Sequence, residues 1–119
     1  MNKLISILSA AFLLFNVSVV SAQAKNDWAE KAAFHKVMSQ TFHPMEESNY
    51  KPIRERSGEM VASAIAWQKS PIPAEFKNVK GIKKNLKKLV NESKELDKEI
   101  KANCKDAEIK DELTELHEI

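Results

Sequence analysis

Very little in this chain bends or cross-links it. The sequence has one cysteine, Cys104, so no internal disulfide framework can staple it. Glycine occurs only at Gly58 and Gly81, and proline four times, in 119 residues. That scarcity, with no alternating apolar/polar run bounded by turn residues, excludes a strand-and-turn architecture. Charge of one sign is also scarce. A formal net charge of +2 gives no whole-domain field of the kind that points to nucleic acid. There is no glycine-rich phosphate loop, no clustered carboxylate pair, and no nucleophile beside a paired base. An enzyme is therefore not expected.

What is present begins with a leader. Lys3 is followed by an apolar run from Leu4 to Val20 and then by Ala22-Gln23-Ala24, a small-x-small cleavage site. The pattern is that of a secretory signal peptide, residues 1–24, cleaved after Ala24. No cysteine stands at the junction, so a lipid anchor is not expected, and no membrane span remains after cleavage. Residues 25–119 then form one small domain in the periplasm or outside the cell. A core of this size is marginal, and without a disulfide some weight shifts to a bound cofactor or metal.

The domain reads as four amphipathic helices. Asp27-Trp28-Ala29-Glu30 fits a capping box that opens the first, with Phe34, Val37, Met38, Thr41 and Phe42 forming its apolar stripe. His43-Pro44 is expected to end it, leaving Met45, Glu46 and Glu47 in a connection. The second opens with Pro52 in its first turn and carries Ile53, Ser57, Met60, Ala64 and Trp67 inward, up to the break Ser70–Pro73. The segment Pro71–Val79 has room for a short extra turn. The third has the cleanest seam, Ile82, Leu86, Leu89, Ser93, Leu96 and Ile100, in alternating steps of four and three. Lys77, Lys80, Lys83, Lys84, Lys87 and Lys88 crowd its other faces. After a break at Asn103–Asp106, the fourth carries Ile109, Leu113 and Leu116 inward and acidic residues outward. Basic beside acidic should favour pairing the third with the fourth. The ending Leu116-His117-Glu118-Ile119 has no cap and no glycine, which fits a chain truncated at its C-terminus. The expected fold is all-α, an up-down-up-down antiparallel four-helix bundle.

Chemistry-bearing side chains gather on the first helix and at the end of the fourth. At 100° per residue, His35 and Met38 lie about 60° apart on one flank of the apolar stripe. His117 lies on the flank of the fourth helix's inner row, and in such a bundle the first and fourth helices are neighbours. A metal site drawn from His35, His43, Glu46 and His117 offers imidazole and carboxylate to zinc or copper, and Met38 and Met45 add thioether for copper(I). No His-Glu-x-x-His and no Glu-x-x-His pair is present.

Met38 in the first helix and His117 near the end of the fourth resemble the axial-ligand layout of the small periplasmic four-helix-bundle cytochrome. That family is the non-covalent b-haem relative of cytochrome c prime. The resemblance implies a haem b held by Met38 and His117, and electron transfer with a redox partner. Covalent attachment is excluded, because no Cys-x-x-Cys-His is present. The competing reading is a cofactor-free helical binding or stress-response protein of the chaperone kind. A homodimer is compatible with either, and Cys104 can be a free thiol or an intermolecular disulfide. If the leader is processed as read, intact mass of the protein purified from cells expressing the full sequence will start at Lys25. A mass that retains Met1 to Ala24 would contradict it.

Overall fold

The computed structural model describes residues 28–119; the leader and the capping residue Asp27 lie outside the described residues. Four α-helices follow one another: α1 Ala29–Glu46, α2 Lys51–Lys69, α3 Ile82–Lys101 and α4 Asp106–His117. Ala74–Phe76 adds a single 3-10 turn in the connection after α2. Among the described residues there is no strand, and no helix is long and apolar enough to cross a membrane. Each helix packs on the next, and α4 also packs on α1.

The stripes expected from the sequence point inward. Phe34, Val37, Met38 and Phe42 of α1, Ile53, Met60 and Ala64 of α2, and Leu86, Leu89 and Leu96 of α3 are all buried. So are Ile109, Leu113 and Leu116 of α4. Two seam serines behave differently. The Ser57 hydroxyl donates to Asp97 at 2.8 Å, and Lys101 donates to the same carboxylate at 2.7 Å. Burial works against the Asp97 charge, but those two donors outweigh it and hold the carboxyl below its usual range. Ser93 is buried with no partner for its hydroxyl among the described residues.

Trp28 anchors the start of α1. Its ring is buried, its indole N–H donates to Ser70 Oγ at 2.6 Å, and it packs perpendicular to Trp67 with ring centroids 5.7 Å apart. This contact ties the beginning of α1 to the end of α2. At the other end of α2, Arg54 donates to Asp106 at 2.6 Å and to the Cys104 carbonyl at 2.8 Å. One guanidinium thus holds the α3–α4 turn against α2.

The expected stop at His43-Pro44 does not occur. Helix α1 runs through Pro44 to Glu46, so His43 and Glu46 are helical rather than in a turn. Proline lacks the N–H that would bond one turn back, and its ring crowds that turn. Two features compensate. Met45 is buried at 3 % exposure, so the last turn contributes to the core. Beyond it, Ser48 adopts φ 64°, its N–H donates to the Met45 carbonyl at 2.9 Å, and the Asn49 N–H donates to the Pro44 carbonyl at 2.9 Å. That pair of bonds is a Schellman closure, which satisfies the last carbonyls of the helix. Asn103, at φ 60°, closes α3 in the same way, with Cys104 N–H donating to the Glu99 carbonyl at 3.0 Å. Asparagine tolerates this left-handed conformation better than most residues.

Met45 therefore carries a load that its position beside a proline hides. Met45→Ala should destabilise the protein by about 2–5 kcal/mol, the usual range for truncating a buried Met. Chemical denaturation monitored by helicity will measure it. A loss under ~0.5 kcal/mol, the range of surface changes, would show that the last turn is not held by burial.

Candidate functional site

Helix α4 has 12 residues, whereas α1, α2 and α3 have 18, 19 and 20. At 1.5 Å per residue it is about 9 Å or more shorter than its neighbours. Beyond its end, α1, α3 and the connection after α2 enclose a cleft of about 340 Å³. Trp28, Phe34, Trp67 and Phe76 form aromatic walls; Ile82, Leu86 and Leu116 add aliphatic ones. Trp28 and Phe76 lie 5.6 Å apart by centroid, as do Phe34 and Trp67. The lining includes no Asp or Glu side chain. Such a volume falls within the usual range for small-molecule sites.

Three of the sequence-derived candidates line this cleft: His35 and Met38 from α1, and His117 from the end of α4. Met38 is buried, while His35 and His117 are exposed. The His117 ring lies flat on Phe42, with centroids 4.0 Å apart and planes 6° from parallel. This stacking fixes the ring plane, and the ring nitrogens lie on the ring edge, where they can bind. His43 and Glu46 are elsewhere. They face solvent as an i,i+3 pair 3.8 Å apart, and neither lines the cleft. Met45 is a core residue.

Among the described residues, three His, Cys, Asp or Glu donor groups come within 4.8 Å of one another only at Glu99, Cys104 and Glu108. That thiol is a poor ligand and a poor nucleophile as it stands. Burial pushes its pKa up; Arg54 opposes the shift, and Glu108, Glu99 and Glu112 add to it.

Two features of the site are less apparent in the sequence. Phe76, in the connection that starts with Pro71 and Pro73, closes the cleft, and Lys31 Nζ sits 5.4 Å over its ring. Trp67, on the inner row of α2, is a cleft wall as well as a core residue, and its indole N–H is buried without a partner among the described residues. An isolated aromatic shortly after Pro71 and Pro73 was the available signal for Phe76.

The seam that seats α4 on α3 is not the basic–acidic match suggested by composition. No ion pair joins α3 to α4 among the described residues. Instead Glu112 of α4 meets Glu99 of α3, with Glu95 and Glu108 close by. Burial, a hydrogen bond with Glu99, and the neighbouring negative charges push the Glu112 carboxyl up to about 7. One Glu112 oxygen is buried with no partner among the described residues. The lysines at the start of α3 lie away from this seam.

Comparison with protein-family models, with curated proteins and with solved structures finds no match for the chain. The cleft and its donors therefore carry the functional reading alone.

The seam predicts a pH dependence with a definite sign. The folded Glu112 carboxyl titrates near 7 and the unfolded one near 4.5. The native state thus keeps a proton that the unfolded chain gives up. Glu112's stabilising share is complete below about pH 4.5 and is lost as pH rises through about 7. Urea midpoints measured from pH 5 to pH 8 should fall, and Glu112→Gln should flatten the slope and raise the midpoint at pH 8. An unchanged slope in the variant would assign the dependence to other groups.

Proposed function

We propose that the protein is an exported, periplasmic or secreted, up-down-up-down four-helix bundle that binds haem b or a transition-metal ion through His and Met. Its role would lie in electron transfer or metal handling, through binding rather than catalysis. One observation carries the reading: His35, Met38 and His117 converge on a single apolar cleft although they are separated in sequence by up to 117 − 35 = 82 positions. Imidazole suits copper, zinc and haem iron, and thioether suits copper(I) and haem iron.

The walls favour haem over a bare divalent ion. Four aromatic rings and several aliphatic side chains suit a flat organic ligand, whereas zinc would find no Asp or Glu side chain in the lining. Met38 and His117 are the residues that would hold the iron, with His35 beside them. With a Met and a His as its ligands, the group would supply a raised reduction potential, as in other His/Met haem proteins. Phe42 would hold the His117 ring in place, and the aromatic walls would limit water access.

Titrating the purified protein with hemin, and separately with copper(I), tests this reading. A Soret band should appear at one equivalent. Met38→Ala and His117→Ala should each weaken haem binding by roughly tenfold or more, about 1.4 kcal/mol, and His43→Ala should leave it unchanged. Stoichiometric copper binding that depends on His35 and Met38, with no Soret band, would select the metal-ion branch. Binding of neither would refute the proposal. It would leave the cofactor-free binding or chaperone-like reading, whose own support is the exposed lysine row of α3.

A further inference from the structure

Helices α3 and α4 carry opposite charges on their outward faces. Along α3, Lys84, Lys87, Lys94 and Lys98 fall within an arc of about 80°. That arc is centred about 150° from the buried row of Leu86, Leu89, Ser93 and Leu96. The only other residue within it is Asn91, so it holds no carboxylate. On α4 and its C-cap, Asp111, Glu115 and Glu118 fall within an arc of about 60°, likewise about 160° from Ile109, Leu113 and Leu116. All seven charged residues are exposed. None takes part in an ion pair among the described residues.

The two helices are adjacent, so the basic and acidic rows lie side by side on one face of the molecule. They do not neutralise each other across their own seam, because that seam is filled by Glu95, Glu99, Glu108 and Glu112. A second copy turned through a two-fold axis along the seam would place each α3 over its partner's α4. Two lysine–carboxylate contacts would then flank the axis, where the acidic seams of the two copies meet and repel, and the arrangement closes on itself.

We infer that this face is a self-complementary docking surface, and that the protein forms a salt-labile homodimer through α3 against the partner's α4. The two arcs hold no apolar or aromatic residue among the charges. The face therefore suits neither insertion into lipid nor stacking on bases. Contacts built from exposed lysines and carboxylates are individually weak and strongly screened. The association should therefore be clear where the screening length is ~30 Å, at about 0.01 M salt. It should be gone where that length is ~3 Å, at about 1 M.

Protein purified from cells expressing the full sequence can be followed by analytical ultracentrifugation at both salt concentrations. Two reversed variants sharpen the test: one carries Lys84→Glu, Lys87→Glu and Lys98→Glu, the other Asp111→Lys, Glu115→Lys and Glu118→Lys. The expected result is a wild-type dimer at low salt, a monomer for each variant alone, and a heterodimer when the two are mixed. Circular dichroism confirms that each variant is folded, and restoration by mixing cannot arise from misfolding. Wild-type protein that stays monomeric at low salt overturns the inference. So does a mixture that stays monomeric, or a wild-type monomer that instead sediments with phosphatidylglycerol vesicles. The last outcome would assign the lysine row to an anionic membrane surface.

Discussion

The seating of α4 decides what this molecule can do. Ile109, Leu113 and Leu116 drive it into the core, and burying three large aliphatic side chains is worth several kcal/mol, at about 1.5–3 kcal/mol each. Against that attraction stands a seam where carboxylates meet carboxylates. Burial dominates and the charge adapts: the Glu112 carboxyl titrates at about 7 rather than in the ordinary range, where it can share a proton with Glu99. Arg54 adds the only cross-element ion pair to α4 among the described residues, at Asp106. With α4 so placed, its last turn brings His117 onto Phe42 and into the cleft beside Met38.

Much of this was legible in the sequence because it follows from period alone. The inner rows of all four helices are set by apolar spacing, and the breaks at Ser70 and near Asn103 by proline and by a residue tolerant of the left-handed region. The end of α1 was not legible. The local rule that a residue before proline leaves the helix is outweighed by tertiary burial of Met45 and by a Schellman closure at Ser48, a position where glycine is the usual signal. The acidic seam was also missed, because composition averages over a helix. Helix α3 is rich in lysine as a whole, yet Glu92, Glu95 and Glu99 lie on the side towards α4, about 120–180° round from Lys83.

The candidate donors divide along the same line. Helical spacing places His35 and Met38 on one flank of α1, and the neighbouring position of α4 brings His117 to the same cleft. His43 and Glu46 share the residue types but occupy the solvent side once α1 continues through Pro44. The aromatic enclosure depends on Phe76 folding back from an irregular connection, which no periodic pattern encodes. Its effect is a cleft with apolar walls, lined by the buried thioether of Met38 and the exposed imidazoles of His35 and His117.

The absorption spectrum of protein isolated from its native compartment, taken with elemental analysis of the same sample, tests the central claim most directly. The account predicts either a Soret band with one iron per chain or one copper per chain. A colourless protein that contains neither metal would contradict it.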